Sequence, residues 1–202
     1  GAGRARGQEN RAAAANARPR KAAAAAGKKP SMGRVKKGSV KKAEILEVGA
    51  VVFEEGWYNK GYIFTDGFKS RTHFRSSVQI DALCVHICEI YKDHAAPKAV
   101  KGKRVKPGPV FKVTAMDRPD EPLVGASATS CWTQVLKRIN ATIDERIRNG
   151  EDLPPAPKTA IAGPEYFGLN MVEVIDGIEA QDPERKCRVY WEGREEREDW
   201  IT

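Results

Sequence analysis

The first 44 residues contain no aromatic side chain, no leucine and no isoleucine, so any core this chain builds has to come from residue 45 onward. The same stretch holds thirteen Lys and Arg against two acids, Glu9 and Glu44, between alanine runs at Ala12–Ala15 and Ala22–Ala26. Such a segment cannot bury enough apolar surface to offset the entropy of fixing its backbone, and residues 1–44 are expected to form a disordered basic tail. Each Ala run is far shorter than an isolated helix needs in water. Of the chain's 35 basic and 27 acidic groups, 22 and 25 are left for residues 45–202. The formal net charge of +8 is therefore a property of the tail, which carries about +11 while the remainder carries about −3.

The 202 residues suit one ordinary domain plus that tail, or two very small domains. No apolar run reaches transmembrane length and no secretory h-region is visible, so no membrane partner is expected. Cys84, Cys88, Cys131 and Cys187 are scattered without a disulfide framework, a usage that fits a reducing compartment. The chain starts at Gly1 rather than Met, as a piece of a longer protein would.

Hydrophobic patterning predicts strands at Ile45–Phe53, Trp57–Phe64, Phe68–Ser76, Leu83–Tyr91 and Pro109–Met116, with Gly49 a bulge or close approach. Thr65–Gly67 carries the Asp-Gly of a tight hairpin turn. Leu83–Tyr91 is nearly free of charge, which predicts burial on both faces. Lys92–Gly108, with Pro, Gly and six basic groups, reads as a long exposed loop. Trp132, Val135, Leu136, Ile139 and Ile143 recur at three- and four-residue steps and predict a helix over Ser130–Asn149, with Thr129 as N-cap and Gly150 at C′. Pro164 opens a helical turn, Asn170 and Glu173 suggest a capping box for Met171–Ala180, and Lys186–Trp191 reads as a last strand. Strands followed by helices give an α+β class with one antiparallel sheet of about six strands. The charged residues 193–202 form a C-terminal extension.

Catalytic signatures are weak. Ser130-Cys131-Trp132 at a helix start resembles a cysteine-protease nucleophile, but no His follows it to serve as base, and Cys131 and Trp132 read as core. Cys84, His86 and Cys88 share one face of a strand, yet zinc needs a fourth ligand and favours ligand spacings suited to turns. The carboxylate pairs Asp120/Glu121 and Glu195/Glu196 sit in turn and tail contexts. No phosphate loop, zinc-protease or serine-elbow motif occurs, so neither enzyme activity, cofactor nor metal is expected. Lys28, Lys29, Arg34, Lys36, Lys37, Lys41 and Lys42 have the composition of a nuclear-import signal or polyanion-binding arm, and an Ala/Arg-rich leader also fits an organellar transit peptide. Lys98, Lys101, Lys103, Arg104 and Lys106 crown the long loop.

Gly67-Phe68-Lys69-Ser70-Arg71 resembles the core of the phenylalanine/tyrosine-rich N-terminal motif, FYRN. Val110-Phe111-Lys112-Val113-Thr114, then Gly125, Ser127 and Cys131-Trp132, then Tyr166-Phe167-Gly168-Leu169, resemble its C-terminal companion, FYRC. The likeness implies a single α+β FYR module over residues 45–192, its helices on one face of the sheet, with an FYRN part at about 45–92, the basic loop at 92–108 and an FYRC part at about 109–192. Such modules occur in trithorax/mixed-lineage-leukaemia histone methyltransferases, plant jumonji demethylases and the small transforming-growth-factor-β regulator type, which this chain resembles more. Ser127-Ala128-Thr129 and Asn170-Met171 depart from the family's usual Ser-Pro and His-Pro. The resemblance implies a non-catalytic nuclear module that binds proteins of chromatin complexes concerned with transcription and histone methylation. Two other expectations stand beside it: a nucleic-acid-binding protein acting through tail and loop, and a regulatory fragment of a larger histone H3 lysine methyltransferase or jumonji demethylase.

Overall fold

The computed structural model describes residues 1, 43–93, 99–100, 103–104, 108–156 and 160–198, the strand residues among 94–107 by backbone alone. Along the chain run β1 (Glu44–Glu47), β2 (Ala50–Val51), β3 (Thr65–Asp66), β4 (Phe68–Arg75), β5 (Leu83–Lys92), β6 (Ala99–Val100), β7 (Lys103–Arg104), β8 (Pro109–Ala115) and β9 (Leu123–Gly125). Four helices follow: α1 (Ala128–Arg148), α2 (Gly163–Phe167), α3 (Val172–Glu179) and α4 (Arg188–Glu198). The α+β antiparallel architecture is the one expected. Its main sheet has five strands, ordered β1-β4-β5-β8-β9, and β2-β3 and β6-β7 form two small ribbons.

Alternation puts Phe68, Ser70, Thr72, His86, Cys88, Ile90, Phe111, Val113 and Ala115 on one face, all buried. Against them α1 lays Trp132, Val135, Ile139 and Ile143 of the stripe read from the sequence, together with Cys131; Leu136, also of that stripe, is buried as well. Leu83–Tyr91 is buried on this face only; Val85, Ile87 and Glu89 look outward, because none of the described helices covers the other side. Its low charge predicted burial on both faces, and the structure corrects that.

The Ile45–Phe53 strand is broken in two. β1 bulges between Ile45 and Glu47, and Gly49 turns at φ +75 with its Cα so close to the β3–β4 backbone that a Cβ would lie 2.5 Å from the Asp66 carbonyl. Gly67, at φ +83, does not close a hairpin: β3 runs into β4 through a kink there, and its N–H donates to Ile90 O at 3.0 Å. Trp57–Phe64 is not a strand. Asn59 Oδ1 accepts from the N–H groups of Gly61 and Tyr62, at 2.8 and 2.9 Å, and folds the segment into a tight loop that keeps one bridge, Tyr58 to Ile63.

The N-cap of α1 is Ser127 rather than Thr129. Its Oγ accepts from Ser130 N at 3.1 Å while Ser130 Oγ accepts from Ser127 N at 3.2 Å, a reciprocal box made by two serines. Gly150 takes φ +92 as expected at C′. Asn170 caps nothing; α3 starts after Met171 with no side-chain cap. Of the strand expected at Lys186–Trp191, residues 188–191 are helix, and Lys186 and Cys187 lead into it without regular structure. Asp182 accepts from the backbone N–H of Lys186 at 2.7 Å and Cys187 at 2.9 Å, satisfying donors that precede α4, and this tertiary anchor overrides the strand preference of Val189, Tyr190 and Trp191. α4 continues through the boundary drawn at residue 193, where Gly193 is buried against the Lys60 backbone.

Candidate functional site

The buried signature residues converge on the seam between the two halves, whereas Lys69 and Arg71 face outward. Ser70 Oγ, on β4, donates to Phe167 O at the end of α2, 2.7 Å away and fully buried. Cys88 Sγ, beside it on β5, points at Tyr166 O at 3.8 Å, and Cys131 Sγ donates to Phe111 O at 3.2 Å. Trp132 packs with Phe74 at 5.2 Å and Tyr166 at 4.8 Å between ring centroids, and Phe74 meets Tyr166 edge-on at 5.4 Å. Phe111 contacts Phe167 at 5.8 Å, while Phe68, Val113 and Leu169 are buried around them.

Close approach explains the glycines. A Cβ on Gly125 would collide with Ser130 Oγ, one on Gly163 with the Ala128–Thr129 backbone, and one on Gly168 (φ +82) would sit 2.9 Å from Ala43 Cβ. Gly163 and Ala43 were not singled out from the sequence. Gly163 could have been, standing before Pro164 at a helix start; Ala43 gives no signal. Ala43 is buried and β1 begins at Glu44, so the described fold reaches two residues into the stretch assigned to the tail.

Nothing here resembles an activated nucleophile. Burial lifts the Cys131 thiol to about 11 and the Cys84 and Cys187 thiols to about 12, and it raises Cys88 as well. Burial also lowers the His86 imidazole, which lies against Trp132 at 5.4 Å and Phe74 at 6.1 Å. Cys84 Sγ comes within 3.6 Å of His86 Nδ1, yet no group of three or more metal-ligating residues forms among those described. Glu121 pairs with Arg118 and Arg138, Glu195 with Arg185, and Glu196 with Lys60, so these acids serve surface ion pairs. Lys28, Lys29, Arg34, Lys36, Lys37, Lys41 and Lys42 lie outside the described residues, as do the loop's basic side chains.

The uncovered face of the sheet has its own order. β4 presents Lys69, Arg71, His73 and Arg75; β5 presents Leu83, Val85, Ile87, Glu89 and Tyr91; β8 adds Val110, Lys112 and Thr114, with Met116 just beyond its end. At the Tyr91 end a shallow hollow of about 300 Å³ is lined by Glu47, Lys69, Glu89 and Lys112 in balanced charge, Lys112 Nζ lying 2.6 Å from Glu89. At the Leu83 end the balance fails. There Arg71 is matched by Glu44 at 2.7 Å, and His73 and Arg75 face Val85 and Leu83 across the register.

A two-part module whose halves are joined by buried Phe and Ser residues and the half-buried Tyr166 is the class this geometry defines. The chain carries FYRN and FYRC domains: residues 37–93 match the F/Y-rich N-terminus model and residues 108–198 the F/Y rich C-terminus model. It is 32% identical over 153 residues to "Putative lysine-specific demethylase JMJ16" of Arabidopsis thaliana and 31% identical over 153 residues to lysine-specific demethylase JMJ703 of Oryza sativa subsp. japonica. Each of these alignments takes in 75% of this chain and 12% of the relative. It is 22% identical over 147 residues to transforming growth factor beta regulator 1 of Homo sapiens, covering 72% of this chain and 31% of that protein. The chain thus spans about an eighth of the demethylases' length and under a third of the regulator's.

Proposed function

We propose that this chain is a non-catalytic protein-interaction module of a nuclear, chromatin-associated regulator of transcription or histone methylation. One observation carries the reading: the buried signature residues are the internal joint of the fold, as the Ser70–Phe167 bond exemplifies, with the thiols held protonated by burial. Residues used in that way build a scaffold, which leaves recognition to the surface. The demethylase relatives support a chromatin setting, and any demethylase or methyltransferase activity would reside in sequence other than this module. Among the described residues no helix is long and apolar enough to cross a membrane.

The test is recovery of a tagged full chain from nuclear extract, with and without nuclease, beside a version lacking residues 1–42. A protein set that resists nuclease and survives loss of the tail is the expected result. A set lost on nuclease treatment or with the tail would overturn the reading and favour a nucleic-acid-binding arm, whose thirteen cations would draw phosphate strongly. Accumulation outside the nucleus would contradict the localisation.

A further inference from the structure

We infer that the Leu83 end of the uncovered sheet face docks an acidic, amphipathic helix of a partner protein, an assignment that rests on the interaction-module reading. Two parallel columns carry it. On β4, Arg71, His73 and Arg75 project from alternate positions; on β5, Leu83, Val85 and Ile87 project beside them, paired residue for residue as Arg75–Leu83, His73–Val85 and Arg71–Ile87. Leu83 is 69% exposed and Met116, which extends the apolar column sideways, is 53% exposed. Val85 and Ile87 are half-buried behind them, so the column opens toward Leu83 and Met116, and large aliphatics left that open beside a basic row suit a docking surface.

Charge selects the occupant. Glu44, on Arg71, is the one acid that the β-register brings into these rows among the described residues, whereas the acids Glu47 and Glu89 gather at the other end of the face. A ligand that buries the apolar column must therefore bring carboxylates to the basic one. The chain's own first 44 residues are excluded as occupant, since they carry thirteen Lys and Arg against two acids. Nucleic acid would answer the basic column but leave the aliphatic one against water. An amphipathic helix answers both, its apolar stripe on β5 and its acidic flank on β4. From Arg71 to Arg75 β4 runs about 14 Å, the length of about nine helical residues, so a helix of about 18 residues covers the rows with about a turn to spare at each end.

The full chain is panned against a phage-displayed library of random peptides about 18 residues long. Selected peptides are then measured by fluorescence anisotropy on wild type and on Arg75→Glu, Val85→Arg and Leu83→Asp, with Lys137→Glu on the exposed side of α1 as control. Circular dichroism checks folding, and Leu83→Asp, at the most open position, keeps the test alive if Val85→Arg unfolds. The expected peptides are rich in Asp and Glu with aliphatics at three- and four-residue spacing. They should bind each face variant about tenfold or more weakly and the α1 control as tightly as wild type. A peptide with Glu exchanged for Lys should regain affinity on Arg75→Glu. Selection of basic or neutral peptides, no selection at all, or peptides indifferent to the face variants overturns the assignment. So does duplex DNA whose affinity falls with Arg75→Glu as much as a peptide's does. If the nuclear protein set persists with Arg75→Glu, this docking face fails while the interaction-module reading stands.

Discussion

Ser70 and Phe167 stand 97 residues apart in the chain, and the hydroxyl of one donates to the carbonyl of the other at 2.7 Å inside the core. The bond joins the FYRN half to the FYRC half at a point no water reaches. Removing the hydroxyl strands a buried carbonyl, so Ser70→Ala should cost about 1–3 kcal/mol, read as a lower urea midpoint with an unchanged slope. A midpoint equal to wild type would show that the joint carries no load.

The same joint makes the halves interdependent. Residues 43–93 supply β1 to β5 and residues 108–198 supply β8, β9 and all four helices, so the first half alone exposes Phe68, Cys88 and Ile90 to solvent. Expressed separately, neither should show a cooperative melt; co-expressed, they should copurify and melt as one. A sharp transition in either half alone contradicts this.

Trp132 is fully buried among Phe74, His86 and Tyr166, and its truncation should cost about 3–5 kcal/mol. Gly163→Ala should destabilise by a different route, forcing α2 off the first turn of α1 where a Cβ has no room. Denaturant titration of both, with Lys137→Ala as an exposed α1 reference, checks the claim. Trp132→Ala melting beside the reference would mean that α1 is not held through this side chain.

Burial lowers the His86 pKa, so the unfolded chain takes up a proton before the folded one does. Stability is therefore flat above the ordinary histidine value of about 6.5 and falls as pH drops below it, until the folded state's lower pKa is reached. Asp117 and Asp182 have carboxyls held below their ordinary value, so their contributions fade only at more acidic pH. In each, burial alone would act the other way and is outweighed by hydrogen bonds, from Ser76 to Asp117 and from Cys187, Trp191 and Lys186 to Asp182. Urea midpoints across pH 7 to 5 should decline in wild type and flatten in His86→Gln. Parallel profiles would remove His86 as the cause.

Loss of residues 1–42 should leave the melting temperature nearly unchanged, because the described fold begins to bury side chains at Ala43. On duplex DNA the full chain should show a log–log salt slope steeper by roughly 0.9 for each phosphate the tail neutralises. Equal slopes with and without the tail would contradict a polyanion-binding role for Lys28, Lys29 and their neighbours.

Periodicity was informative wherever one element met one partner. α1 shows its stripe because a single face meets the sheet, and β4, β5 and β8 stand within a residue or two of their expected limits. It failed where one side chain redirected the backbone. Asn59 folds an aromatic-rich run into a loop, Asp182 starts a helix through Tyr190 and Trp191, and Gly67 kinks a strand where Asp-Gly suggests a turn. The buried half of the signature was visible as apolar residues in order. The outer face was not, because Arg71, His73 and Arg75 acquire meaning only beside Leu83, Val85 and Ile87, and that neighbourhood is set by register.

The two outer strands of the main sheet are short: β9 has three residues, and the four residues of β1 are interrupted by a bulge. A foreign strand laid alongside either would find few in-register backbone donors and acceptors, while β5, the longest strand, lies between β4 and β8. The module is thus protected against growth by strand addition, the route to edge-to-edge aggregation, even though it leaves aliphatic side chains open on its broad face. Stickiness is confined to a surface that reads side chains, and kept off the rim, where any extended chain would fit.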